Sequence, residues 1–214
     1  APLVFLIPGF LSDSECERLI DLARPRLKAS LVMGDAGASE RTSESVFLGA
    51  SEDELLANLQ HRLAALAQLP PVRVATSEDL QLVHYTQGAT FGMHHDSSKF
   101  LPRYLTAFYY LNEPEGGGET AFPAADGAMT PAEAMALKDP AASGGGLIVK
   151  PIKGAALLWY NHGEDGAIEP AAVHAGCRVS AGEKWGANHW VRLAKPDETA
   201  PAQQREQEKE QCDD

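Results

Sequence analysis

YTQGATFGMHHD, Tyr85 to Asp96, and HAGCRVSAGEKW, His174 to Trp185, are the two stretches on which the reading of this chain turns. In the first, His94 and Asp96 stand two apart, a spacing that on a strand points both side chains to one face. An imidazole and a carboxylate joined by a third ligand can cap one face of a metal ion and leave the opposite positions open. Such a site suits an Fe(II) enzyme that binds a co-substrate and O2 together. His174 is the candidate third ligand. Lys184, on the same local unit, supplies a positive charge for the far carboxylate of an acid co-substrate. His95 points to the other face of such a strand and reads as a surface or supporting histidine. His61, His162 and His189 read as bystanders.

Outward from these stretches, the pattern predicts strands from about residue 80 onward. LQLVHY alternates, TAFYYL is bulky and aromatic, LIVK and AALLWY are short and apolar, and KWGANHWVRL carries spaced aromatics. Before them, Ser12 with Glu15 forms a capping box that opens a helix with Cys16, Leu19, Ile20 and Ala23 at helical spacing, ending near Pro25. Ser51 with Glu54 reads as a second capping box, for a helix with a stripe of Leu55, Leu59, Leu63 and Leu66 ending before Pro70. Each helix has one apolar side and needs a sheet to lie against. Between them GDAGASERTSES, Gly34 to Ser45, reads as a mobile loop. Pro123 to Gly146 forms an insert in which Thr130, Pro131 and Glu133 start one short helix. The fold expected is mainly β with flanking helices, a jelly roll with the N-terminal helices packed on one sheet.

The chain of 214 residues is long enough for one domain with a substantial core. The expected division is a single domain over 1–194, with a helical support region in 1–79 and the β core in 80–194, followed by an acidic, disordered tail in 195–214. A net charge of −12 without clustered Lys and Arg argues against nucleic acid as a partner. No apolar run is long enough to span a membrane. APLVFLIPGFL, at the start, reads as an edge strand and not as a signal peptide. Cys16, Cys177 and Cys212 show no C-x-x-C spacing, so neither a zinc knuckle nor a disulfide framework is indicated.

The neighbours of the histidines carry a resemblance to the prolyl 4-hydroxylase branch of the Fe(II)/2-oxoglutarate oxygenases. That family's Y-x-x-G-Q-x-Y-x-x-H-x-D appears as Tyr85, Gly88, Phe91, His94 and Asp96. Its R-x-x-T-x-x-x-Y-L-N with G-G-E-T appears in RYLTAFYYLNEPEGGGETAFP, Arg103 to Pro123. Its closing motif appears as His174, Cys177, Gly182, Lys184, Trp185 and Trp190, and Arg41-Thr42-Ser43 and Glu78 to Gln81 also match. GGGETAFPAAD and GLIVKPIKGAALLWYN look most like the transmembrane prolyl 4-hydroxylase subgroup.

The resemblance implies a double-stranded β-helix, cupin-like core in which His94, Asp96 and His174 bind Fe(II). It implies 2-oxoglutarate as co-substrate, its distal carboxylate held by Lys184 with hydroxyls from Tyr85 and Thr120, O2 as oxidant and L-ascorbate as reductant. Buried carboxylates need such donors to offset desolvation. The implied reaction is 4-hydroxylation of a prolyl residue in a peptide or protein, with 2-oxoglutarate converted to succinate and CO2. Arg41, Ser43, Glu78, Phe91, Arg103 and Trp190 match positions that line the peptide groove. Phe91 replaces the usual Tyr, Ala89 the usual Gln and Arg178 a Pro. These departures fall on the substrate side and leave the iron residues intact. Hydroxylation of a small molecule such as a free amino acid, and a non-catalytic jelly-roll binding module, stay open as alternatives. Oligomeric state is open, and so is localisation: the secretory pathway for a eukaryotic chain with a removed anchor, the cytoplasm for a bacterial one.

Overall fold

The computed structural model describes residues 1–30, 42–142 and 144–193. Its larger sheet has seven strands, numbered in chain order and all antiparallel. They run β1 (Val4–Ile7), β10 (Ala156–Tyr160), β6 (Arg103–Tyr110), β13 (Lys184–Arg192), β4 (Leu80–Tyr85), β3 (Glu44–Leu48), β2 (Lys28–Ala29). A smaller sheet runs β5 (Phe91–His94), β11 (His174–Gly176), β8 (Thr120–Phe122), β9 (Leu147–Val149). β7 (Gly116–Gly117) and β12 (Val179–Ala181) form a short ribbon beside it. This is the jelly roll expected from the pattern of short strands.

Period-two alternation assigns the faces. Leu80 and Leu82 of β4, Leu105, Ala107 and Tyr109 of β6, Ala156 and Leu158 of β10, and Trp185, Ala187 and Val191 of β13 share one core with the helices. Helix α1 (Asp13–Ala23) contributes Cys16, Leu19 and Ala23, and α2 (Glu54–Leu66) contributes Leu56, Leu59 and Leu63. Leu59, Leu63, Leu82 and Leu105 are fully buried, each worth about 1.5–3 kcal/mol of transfer free energy. The intervening residues point inward between the sheets. Val83, Tyr85, Phe108, Tyr110, Leu157 and Trp159 pack there with Phe122, Val149 and Val179.

The capping box of Ser12 and Glu15 opens α1 as expected. The second box does not form. α2 is capped by Asp53, whose side chain accepts from the Leu55 amide, and Asp53 is also held by Arg18. The helix starts two residues later than expected, and its buried stripe is Leu56, Leu59, Leu63 and Ala64, with Leu66 exposed. α3 (Pro71–Ala75) follows, and in the insert α4 (Pro131–Met135) begins with the Thr130 and Glu133 capping box. The N-terminal region gives more than helical support, because β1, β2 and β3 extend the larger sheet on both sides. Glu44 and Ser45, expected in a loop, begin β3. The expected tail lies outside the described residues. Among the described residues no helix is long and apolar enough to cross a membrane.

At Gly186, on the inward side of β13, the Phe108 ring occupies the space a Cβ would need. Gly186→Ala should therefore push Phe108 off its seat and cost about 1–3 kcal/mol. Urea denaturation should show this as a lower midpoint with an unchanged slope.

Candidate metal and co-substrate site

Antiparallel pairing sets the first two ligands. His94 ends β5 and is the direct partner of His174 at the start of β11, so the two imidazoles lie side by side, centroids 4.3 Å apart. β5 stops at His94 and the chain has left the strand before Asp96. The two-residue strand spacing expected for His94 and Asp96 is thus not what brings them together; the turn after β5 does. Asp96 Oδ1 lies 3.7 Å from His94 Nε2, and Oδ2 lies 3.7 Å from His174 Nε2. One ligand atom from each of the three falls within 4.8 Å of the others, the one such group of His, Cys, Asp or Glu among the described residues.

The donor set suits a cation. His94 Nδ1 is 2.9 Å from the Gly92 carbonyl and His174 Nδ1 is 2.9 Å from the Ala172 carbonyl. Each Nδ1–H is used in donating to a carbonyl, which turns the Nε2 lone pair toward Asp96. His174 is wedged between Trp159 and Phe122, at centroid distances of 4.7 and 5.4 Å. Burial lowers its affinity for a proton despite the nearby carboxylate, which favours the neutral ligand form. Burial pushes Asp96 the other way, toward protonation, but His174, His94, Arg103 and the Thr106 hydroxyl outweigh it and hold the carboxyl well below its ordinary range.

One pocket is lined by the triad together with Tyr85, Phe91, Phe108, Thr120, Trp159, Asn188, Lys184 and Trp190. Lys184 stands at the inward start of β13, almost fully buried, with its Nζ 5.1 to 5.8 Å from the centroids of Phe108, Tyr110 and Tyr85. The aliphatic stem passes against Gly118, where an added Cβ would meet Lys184 Cδ at 3.2 Å. No carboxylate among the described residues lies within ion-pair distance. Burial lowers its pKa to about 8, with Cys177 and Glu119 acting weakly the other way. A buried ammonium with no carboxylate partner among the described residues, set over aromatic rings, is built to receive an anion. Thr120 Oγ1 is bonded to Tyr110 Oη at 2.8 Å.

On the outer side, Arg103 makes a two-point pair with Glu78, at 2.8 and 2.6 Å, and its guanidinium lies 3.5 Å over the Trp190 ring. Its remaining nitrogen is 4.0 Å from Asp96 Oδ1. Phe91 stacks on His94 at 3.8 Å. Ser43 is tied to Ser30 across the β2–β3 edge and does not line the pocket. Arg41 lies outside the described residues.

Three other histidines are held by partners away from the triad. His95 sits between the Ser97 amide and the Glu169 carbonyl. His162 stands two residues before Glu164, yet its ring bonds Ser97 Oγ and the Gly166 carbonyl. His189 bonds Tyr109 on the helix side of the larger sheet, and burial depresses its pKa to about 4.

Sequence reasoning passed over Tyr110, Phe108, Trp159 and Asn188. The alternation of TAFYYL with Thr106 inward would have found the first two, since Phe108 and Tyr110 share its parity. Asn188 follows from Lys184 in the same way. Nothing local marks Trp159.

The profile of the 2OG-Fe(II) oxygenase superfamily matches residues 80–192, the stretch that carries every residue of the triad and Lys184. Probable prolyl 4-hydroxylase 6 of Arabidopsis thaliana is 38% identical over 208 residues, covering 90% of this chain and 69% of that protein. The chain belongs to the prolyl 4-hydroxylase family of these oxygenases. Probable prolyl 4-hydroxylase 7 of the same plant is 36% identical, and there this family member spans 90% of its own length and 63% of the relative's. Among solved structures, a viral collagen prolyl hydroxylase from Paramecium Bursaria Chlorella virus-1, in its 2OG complex, superposes with a TM-score of 0.66. It is 26% identical and covers 90% of this chain and 96% of that one. A Pseudomonas putida prolyl-4-hydroxylase, at a TM-score of 0.58 and 18% identity, shares the fold over 90% of this chain and 93% of its own. Membership implies Fe(II), 2-oxoglutarate and O2, and the donor set, the buried ammonium and the shared pocket fit all three.

Adding Mn(II) to the metal-free protein should raise its melting temperature, by an amount that grows with metal concentration as mass action requires. His174→Ala should abolish that rise while the far-ultraviolet circular dichroism stays as in the parent.

Proposed function

We propose that this oxygenase hydroxylates prolyl residues, at C4 of the ring, in a peptide or protein. The observation that carries the reading is a His-Asp-His triad and an unpaired buried lysine in one pocket, in a chain 38% identical to a plant prolyl 4-hydroxylase. When bound, Fe(II), 2-oxoglutarate and O2 supply the oxidation: 2-oxoglutarate and O2 give succinate, CO2 and one oxygen atom for the C–H bond.

The chain's own residues supply position and dryness. His94, Asp96 and His174 hold the metal. Lys184 receives the distal carboxylate of 2-oxoglutarate, and Thr120 and Tyr85 provide hydroxyls for the same group. Phe108, Trp159 and Phe122 exclude water from this end, which strengthens each charge interaction there.

Trp190, flattened beneath Arg103, offers an apolar face beside the metal corner that suits a pyrrolidine ring. Glu78 holds Arg103 in that pose, so the face is formed before substrate arrives. Phe91, packed on His94, gives that wall a ring without a hydroxyl, so substrate recognition there is apolar. L-Ascorbate serves as the reductant that returns the metal to Fe(II).

Incubating the protein with Fe(II), ascorbate, 2-oxoglutarate and a library of proline-containing peptides should give succinate and a +16 Da product. Succinate with no modified peptide, or +16 Da on free amino acids alone, would turn the assignment toward a small molecule. Co-substrate affinity should also depend on pH. The free protein's Lys184 loses its proton as pH rises through about 8, and only the ammonium binds the anion well. The dissociation constant from calorimetry with Mn(II) should thus be steady near pH 7 and weaken above pH 8, approaching about tenfold per pH unit. Lys184→Met should bind weakly at every pH, without that dependence.

A further inference from the structure

Thr106 and Asn161 are fully buried behind the metal corner and lie outside its ligand set. Thr106 is on the inward parity of β6, and its Oγ1 donates to Asp96 Oδ2 at 2.6 Å. Asn161, the first residue after β10, donates through Nδ2 to the same Oγ1 at 3.0 Å. A hydroxyl has one proton and an amide nitrogen can only donate, so the bond from Asn161 leaves the Thr106 proton for the carboxylate. The reversed carboxamide would claim that proton and set the Thr106 lone pairs against a charged oxygen. The chain of bonds therefore has one direction, from Asn161 to Thr106 to Asp96.

Two further observations show that this is more than filling. Asn161 Oδ1 is buried with no hydrogen-bond partner among the described residues. An apolar side chain would avoid that cost, so packing alone does not account for an amide here. Asn161 is also held by its main chain, its amide donating to the Tyr104 carbonyl and its carbonyl accepting from the Glu169 amide, both at 2.9 Å. The loop that starts at Asn161 grips the neighbours of Asp96 as well. The Glu169 carbonyl accepts from His95 Nε2 at 3.0 Å. Ser97 Oγ accepts from the Arg103 amide at 3.1 Å and donates to His162 Nε2 at 2.7 Å.

We propose that Thr106 and Asn161 are positioning residues for the metal site. Their directed bonds engage Oδ2 of Asp96 and fix the carboxylate plane, leaving Oδ1, which accepts no hydrogen bond among the described residues, as the oxygen for the cation. Neither residue touches metal or substrate, and Asn161 acts only through Thr106. The inference rests on the metal-site reading given above.

The test uses Co(II) added to the metal-free protein, with its affinity and visible absorption bands as readouts and melting temperature as the check on folding. The parent should bind one equivalent. Thr106→Val, nearly isosteric, should weaken binding about 10–100-fold and alter the bands. Thr106→Ser, which keeps the hydroxyl, should stay within about threefold of the parent. Asn161→Ala should weaken binding in the parent and add nothing further in the Thr106→Val background, because its effect passes through that hydroxyl. Folded Thr106→Val with Co(II) affinity within about twofold of the parent, or losses that add in full in the double variant, would overturn the proposal. If Thr106→Val does not fold, Asn161→Ala decides: parent-like affinity overturns the proposal, and weaker binding at an unchanged melting temperature supports it. A parent that binds no Co(II) at all would instead refute the metal-site reading, and this inference with it.

Discussion

A carboxylate withdrawn from water must be met by positive charge or by hydrogen-bond donors, and most of the site's construction follows from meeting that need at Asp96. Its side chain is about as buried as that of His174. Two imidazoles, the Arg103 guanidinium and the Thr106 hydroxyl converge on it from three strands, β5, β11 and β6. Each of those partners is itself held: the histidines through Nδ1 to main-chain carbonyls, Arg103 by Glu78 and Trp190, Thr106 by Asn161. The result is a corner whose donor atoms are oriented by bonds that do not involve a metal. Lys184 is the complementary case, a buried ammonium with no carboxylate among the described residues to meet it. The pocket thus sets a carboxylate with two imidazole donors at one end and, at the other, a buried ammonium with no carboxylate partner among the described residues.

Much of this was legible in the chain. The three ligand residues and Lys184 stood out because they recur at family spacing with their glycines and aromatics. The alternation of LQLVHY and KWGANHWVRL announced strands with two different faces. Where local rules failed, a nearby competitor had won. Asp53 displaced Ser51 as the cap of α2 because its carboxylate serves the Leu55 amide and Arg18 at once. His94 and Asp96 meet through a turn, which no period-two pattern describes. Thr106 and Asn161 were invisible because their role depends on contacts across 10 and 55 residues of sequence, and neither residue type signals such a role by itself.

The substrate side shows a different economy. Arg103 uses two of its nitrogens on Glu78 and its face on Trp190, so this residue, expected to line the peptide groove, is largely engaged in holding the platform. Recognition then falls on shape and apolar contact more than on free hydrogen-bonding groups. Phe91 in place of the family's tyrosine moves in the same direction, since its ring is already stacked on His94. The change at Phe91 thus leaves the charges around the metal corner in place.

Strand β11 is bonded to β5 on one side and to β8 on the other, so His94, His174 and Thr120 hang from three adjacent strands of one sheet. Neighbouring strands in any sheet lie about 4.8 Å apart. The lateral separation of these side chains is therefore set by strand spacing, with Thr120, opposite Gly176, displaced two positions along β11 from His174. A slip of β11 by one position would turn His174 to the opposite side of the sheet. In this protein the backbone lattice decides which side chains share the pocket.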